Sequence, residues 1–194
     1  SVVCNDFSLL PNEFWEGYVG NGEPYGLINL RLARSCGRIG DTRYKDKRIQ
    51  GFNPCAEQGL EPYETCCLAE TFLPNIASKE ELADVCKLLY RVCKHSLRLP
   101  CHLPQTQEVV WKNARMGIGV TGYLQATEEQ REWLKEVYDE LREFDKSYSG
   151  DRGWPASIKL TTIKPSGTLS LLPGVTSGCH PAYARFLIRR IRIA

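Results

Sequence analysis

The chain has 194 residues, 42% hydrophobic and 25% charged, with a formal net charge of +2. That is enough chain for one domain with a sizeable core, and too little charge for nucleic acid or an anionic membrane as partner, so any phosphate recognition must be local. No run reaches the roughly 18 apolar residues of a membrane span, the N-terminus lacks a signal peptide's basic start, and the nine cysteines are odd in number with no C-x-x-C pair, all of which predicts a soluble, cytoplasmic chain with one or two working thiols rather than a disulfide framework.

In chain order, Pro11 stands at a good start for a helix that carries Phe14, Trp15 and Tyr18 on one face, broken at Asn21-Gly22-Glu23-Pro24. Leu27 to Ser35 reads as a second short amphipathic segment ending at Cys36-Gly37. Cys4 and Cys36 read as structural, and the charged run Arg38 to Arg48 as a solvated connector.

The stretch from 49 to 68 is different in kind. Asn53, Cys55 and Glu57 alternate, with Pro54 between the first two, and Cys66 and Cys67 follow. In an extended segment, alternate side chains point to one face, so an amide, a thiol and a carboxylate would converge there. A cysteine alone fits a small buried hydrophobe equally well. Its companions Gln58 and Glu61, with Gly59 and Pro62, instead describe a shaped polar loop.

Cys67 to Ile76 has the apolar content of a strand interrupted by Pro74. Ser78 and Glu81 form a capping box for a helix to about Leu97, with Leu82, Val85, Cys86, Leu89 and Val92 on its inner stripe. Thr106 to Ala114 reads as another helix. Met116 to Gly122 is a glycine-spaced run that fails as a dinucleotide fingerprint and instead marks a strand that another backbone approaches closely. Thr127 and Gln130 cap the longest helix, whose stripe is Trp133, Leu134, Val137, Tyr138, Leu141 and Phe144, with Arg142 on the outer side. A mobile turn, Asp151 to Pro155, then leads to a buried strand over Ser157 to Ile163. Strands alternating with helices predict α/β architecture with parallel pairing. After the last strand, Pro165, Ser166, Gly167 and Thr168 form a small-residue turn fit for an anion, and equally an ordinary turn.

Two of these stretches carry a resemblance. Asn53-Pro54-Cys55-Ala56-Glu57 resembles the finger-loop motif of ribonucleotide reductase large subunits, and the run through Tyr63-Glu64-Thr65-Cys66 is most similar to the adenosylcobalamin-dependent, class II branch. Thr161 to Ser170 is similar to the family's phosphate-binding loop, in the right order and at roughly the right separation. The resemblance implies part of a ten-stranded α/β barrel with a central finger loop at 49–68 and a phosphate loop at 163–170, the whole chain being an incomplete catalytic barrel domain. It implies reduction of ribonucleoside triphosphates to 2′-deoxyribonucleotides by a thiyl radical, with adenosylcobalamin as cofactor. Cys55 would be the radical site, Glu57 the base for the 3′-hydroxyl, Asn53 the amide on the ribose hydroxyls and Cys66 one of the reducing thiols. Pro165, Ser166, Gly167 and Thr168 would hold the substrate phosphates. The partner of Cys66, and the C-terminal thiols that take electrons from a thioredoxin-type reductant, would belong to a longer protein of which this is a piece. Two alternatives stand beside this reading: a class I reductase acting on diphosphates, and a non-catalytic α/β domain with zinc on Cys93, His95, Cys101 and His102. Cys179-His180 is not expected to act as a nucleophile pair, because neighbours on a chain seldom face one another.

Overall fold

The computed structural model describes residues 2–4, 6–23, 26–35, 46–186 and 188. Cys36 and most of the 38–48 connector lie outside them, as does the side chain of Cys4. Strand β1 (Val2–Cys4) pairs in parallel with β2 (Leu27–Asn29). Helix α1 (Asn12–Gly20) lies between them, with Pro11 as its N-cap and Phe14, Trp15 and Tyr18 in mutual aromatic contact. The second amphipathic segment divides into β2 and a short helix α2 (Leu30–Ser35), of which Leu30 is buried. A two-stranded antiparallel hairpin follows, β3 (Gly51–Phe52) with β4 (Gly59–Leu60).

The centre of the structure is a parallel sheet of β5 (Leu68–Phe72), β6 (Gly117–Thr121) and β7 (Thr161–Thr162), in that spatial order. Helices α3 (Lys79–Ser96) and α4 (Pro104–Asn113) connect β5 to β6, and α5 (Glu128–Gly150) connects β6 to β7. Alternation of strand and helix thus yields the parallel α/β arrangement expected, as a three-stranded sheet among the described residues. The core lies between this sheet and α3 and α5: Leu73, Leu82, Cys86, Tyr90, Ile118, Val137, Leu141 and Leu160 are all buried in one cluster.

Both long helices begin where their caps specify. Ser78 Oγ accepts from the Glu81 amide at 3.1 Å. Thr127 and Gln130 exchange both capping-box bonds, at 3.2 and 2.9 Å. Helix α3 is rotated slightly from the expected stripe: Tyr90 and Cys93 are buried, whereas Val92 is 57% exposed. Arg142, expected outside, is buried and donates to the Ser157 carbonyl at 2.9 Å.

A buried polar cluster ties α3 to the end of α5. The Lys94 ammonium reaches Asp145 Oδ1 at 3.1 Å, the Pro155 carbonyl at 2.7 Å and Ser157 Oγ at 2.9 Å, while Tyr90 donates to Asp145 at 2.7 Å. Burial pulls the Lys94 ammonium below the ordinary lysine range, and the Asp145 charge opposes that. The turn after α5 is tied down by hydrogen bonds, with Trp154 N donating to the Ser149 carbonyl at 2.9 Å. The strand expected from Ser157 to Ile163 contracts to β7; Lys159 and Leu160 still accept from Met116 and Ile118 at 3.1 and 2.8 Å. Among the described residues, no helix is long and apolar enough to cross a membrane.

The glycines of β6 have a specific cause. A Cβ at Gly117 would lie 2.1 Å from Gln58 Nε2, 2.7 Å from Thr162 Cγ2 and 2.8 Å from Leu68 Cδ2. One at Gly119 would meet the Lys164 stem at 3.1 Å. The close approach to this strand is thus made not by another backbone, as expected, but chiefly by side chains, Gln58 of the hairpin and Lys164 after β7 among them, laid across bare backbone. Gly117→Ala is expected to lower stability by roughly 1–3 kcal/mol through overpacking, read as a lower denaturant midpoint at unchanged slope. A wild-type midpoint would contradict this packing.

Candidate active site

The hairpin tip is a turn rather than an extended segment. Asn53 N donates to the Gln58 carbonyl at 3.1 Å, Ala56 N to the Asn53 carbonyl at 2.9 Å, and Ala56 takes a φ of 62°. The alternation of Asn53, Cys55 and Glu57 consequently does not put three side chains on one strand face. Asn53 turns inward: its Oδ1 accepts from the Gln58 amide at 3.0 Å, and its Nδ2 donates to Cys66 Sγ at 3.4 Å. Cys55 is exposed at the tip. Glu57 is half-buried, and its Oε2 is buried with no hydrogen-bond partner among the described residues.

Two anchors hold this tip over the sheet. Thr162 Oγ1, on β7, donates to the Glu57 carbonyl at 2.7 Å. Below the hairpin, a buried ion network locks its base: Glu61 accepts from Arg48 Nε at 2.6 Å and Asn113 Nδ2 at 2.9 Å, and Asn113 also donates to Glu64 at 2.9 Å. Arg115 is fully buried; its Nε lies 3.0 Å from Glu64, and it pairs with buried Asp46. Asp46 therefore departs from the solvated connector expected of its stretch. The donors around Glu61 hold its carboxyl below the usual carboxylate range against the upward push of burial.

Cys66 emerges between the hairpin and β5. Its partial enclosure pushes the thiol up, and the charges of Glu57 and Cys67 push it further, while the Asn53 hydrogen bond and the Lys164 charge pull it down. Cys67 points the other way, into the core, where its Sγ lies 3.9 Å from the Cys93 carbonyl.

The loop after β7 meets the same region. Lys164 Nζ is 3.2 Å from Glu70, and Ser166 Oγ also donates to Glu70. Ser166 has a φ of 50°, and Pro165, Gly167 and Thr168 are exposed around it. Thr168 makes no side-chain capping bond to the turn that follows. Cys179 and His180 do not act on each other: the His180 ring lies 3.2 Å from the Ser177 carbonyl, and burial pushes the Cys179 thiol up.

The four residues of the zinc alternative do not converge. Cys93 is buried in the α3 core, and His95 Nε2 lies 2.9 Å from the Tyr148 hydroxyl. Among the described residues, no group of three or more His, Cys, Asp or Glu is arranged to hold a metal ion. A cavity of about 210 Å³ is lined by residues of α3 and α5, Lys79, Lys87 and Glu140 among them, and by none of the hairpin.

Residues 13–143 match the family described as ribonucleotide reductase, barrel domain. The chain belongs to that family. The matched span contains the hairpin and the glycine strand, and the loop at 163–170 follows it. A probable adenosylcobalamin-dependent ribonucleoside-triphosphate reductase of Dictyostelium discoideum is 40% identical over 180 residues, covering 89% of this chain and 24% of that protein. The adenosylcobalamin-dependent ribonucleoside-triphosphate reductase of Euglena gracilis is 39% identical over 183 residues, covering 90% of this chain and 25% of that one. A solved B-12 dependent, class II ribonucleotide reductase superposes with a TM-score of 0.79 at 29% identity, covering 94% of this chain and 30% of its own. The chain thus spans about a quarter of the length of the curated relatives it matches.

Sequence reasoning singled out the hairpin tip but missed what supports it. Asp46, Arg115 and Glu64 form the buried base, and Glu70 and Thr121 join the last loop to the sheet. One signal was available: Glu70 is the lone charge in β5, where an unpaired carboxylate is too costly to bury.

The environment of Cys66 is testable in the full-length protein. Its alkylation by iodoacetamide, followed by peptide mass spectrometry, should rise with pH to a midpoint above the ordinary thiol value of about 8.5. Glu57→Gln removes a neighbouring negative charge and should lower that midpoint. Lys164→Met removes a positive one and should raise it. A wild-type midpoint below the ordinary value would contradict the arrangement.

Proposed function

We propose that these residues form part of the catalytic barrel of an adenosylcobalamin-dependent reductase that converts ribonucleoside triphosphates to 2′-deoxyribonucleotides in the cytoplasm. The observation that carries this reading is the 2.7 Å bond from Thr162 to the Glu57 carbonyl. It ties the hairpin bearing the thiol and the carboxylate to the strand that leads into the small-residue loop, so sugar chemistry and phosphate capture would share one face of β6.

The residues present fit the cofactor in one respect: a radical generated outside the hairpin needs a thiol open at its tip, and Cys55 is exposed there. When bound, adenosylcobalamin supplies the one-electron oxidation that converts the Cys55 thiol to a thiyl radical, and Cys55 is the residue of this chain that would meet it. In this mechanism the Cys55 sulfur takes the hydrogen from C3′ of the ribose, breaking the C–H bond and forming S–H. Glu57 Oε2, buried and without a partner among the described residues, accepts the 3′-hydroxyl proton. The 2′-hydroxyl then leaves as water. Cys66 and a second thiol from elsewhere in the protein supply two electrons and two protons, becoming a disulfide that a thioredoxin-type dithiol later reduces. Glu57 returns the proton to the 3′-oxygen, and Cys55 returns its hydrogen to C3′ and is again a radical.

Asn53 takes a narrower part than hydrogen-bonding the ribose with its whole amide. Its carbonyl oxygen closes the turn and one amide hydrogen goes to Cys66, so one amide hydrogen remains for the sugar. Pro165, Gly167 and Thr168 would border the triphosphate, whose negative charge suits turn amides. Both relatives are named ribonucleoside-triphosphate reductases, which supports triphosphate over diphosphate as substrate.

Cys55→Ser in the full-length protein should abolish deoxynucleotide formation while leaving ribonucleoside-triphosphate affinity within about threefold, since one exposed atom is exchanged. Glu57→Gln should lower kcat by about 10²- to 10⁴-fold. Turnover by the Cys55 variant would contradict the radical assignment.

A further inference from the structure

Glu70 is the middle residue of β5, paired with Gly119 of β6, and its side chain is 2% exposed. Its Oε1 accepts from Thr121 Oγ1 on β6 and from Ser166 Oγ, and its Oε2 lies 3.2 Å from Lys164 Nζ. Two of these three donors belong to the loop. A buried carboxylate with that set of donors is satisfied, and it fixes in place whatever supplies them.

The loop has reason to need fixing. Ser166 holds a left-handed φ of 50°, which a non-glycine residue adopts at a cost unless its surroundings enforce it. Lys164 lies flat over Gly119, and on its far side the Lys164 carbonyl abuts Gly178, where a Cβ would come within 2.1 Å. The loop is therefore clamped from one side by Gly178 and from the other by Glu70. One consequence concerns chemistry. A hydroxyl has one hydrogen to donate, and that of Ser166 is given to Glu70, so it is not available to a phosphate oxygen. The Thr168 hydroxyl makes no cap bond and is exposed.

We propose that Glu70 is a positioning residue for the phosphate loop: it recruits Ser166 and Lys164 as struts that hold the loop's shape, and leaves direct contact with the substrate triphosphate to the Thr168 hydroxyl and the loop's backbone N–H groups. This rests on the reading of 163–170 as the phosphate loop and refines it, since Ser166 moves from ligand to support.

The test is a double-mutant cycle in the full-length protein, read as the Kd for a ribonucleoside triphosphate by equilibrium dialysis. Glu70→Gln keeps the shape and removes the charge, and Ser166→Ala removes one strut. Each should weaken binding by about 10- to 100-fold, the range for a lost hydrogen bond to a charged group. The double variant E70Q/S166A should be no weaker than the weaker-binding single variant, because both break one linkage, whereas E70Q/T168V should show the product of its two single effects. If T168V weakens binding but E70Q and S166A bind like wild type, or if their effects multiply, the assignment to Glu70 is overturned while the loop reading stands. If T168V binds at full strength, the loop reading itself fails. Should E70Q not fold, S166A decides alone: full-strength binding overturns the assignment.

Discussion

Gly117 has no side chain, and Gln58 occupies the space where one would be. Everything at the candidate site depends on that exchange. A glycine in a strand costs about 0.5–1 kcal/mol relative to alanine, and β6 spends it at both Gly117 and Gly119. The return is geometric: a hairpin with little ladder of its own rests directly on the sheet, and Lys164 crosses one residue pair further along. Without the bare backbone, the Cys55 tip and the 163–170 loop would stand off from β6 by a side-chain thickness and from each other.

Carboxylates do the holding. Glu61 and Glu64 sit beneath the hairpin with Arg48, Asn113 and Arg115, and Glu70 sits beneath the last loop with Lys164, Ser166 and Thr121. Burying such groups gains little net stability against an apolar alternative, and breaking one partner away costs several kcal/mol. Their value here is that hydrogen bonds have direction where apolar contacts do not. Lys94 and Asp145 serve the same end at the far side of the sheet, fixing the turn from which β7 departs. Glu57 stands apart from these clusters, with a buried oxygen that the described residues leave unpaired.

Much of this was legible from residue order, and the reason differs by element. The two long helices announce themselves because capping is local: Ser78 with Glu81 and Thr127 with Gln130 each settle their bonds within one turn. The parallel α/β order follows from alternation of period, and the motif at 53–57 drew notice because polar groups flank a thiol between turn formers. The extended tip did not hold, since Pro54 and the left-handed Ala56 fold it into a turn. Arg142, Asp46 and Arg115 escaped because a charge is buried only when a partner distant in sequence meets it: Asp46 and Arg115 are 69 positions apart. Burial of that kind is a property of the assembled fold. Val92 was misplaced for a simpler reason, as Tyr90 and Cys93 win the inner face of α3 by size and by contact with Asp145 and Cys67.

The central claim is that a hairpin and a loop, set side by side on a glycine strand, address the two ends of one nucleotide. A crystal structure of the full-length protein with a ribonucleoside triphosphate measures this directly. The account predicts the ribose against the Cys55 sulfur and Glu57 Oε2, with the triphosphate over the backbone at 166–168. A nucleotide bound elsewhere, with Glu57 Oε2 turned into protein and the 163–170 loop uncontacted, would contradict it.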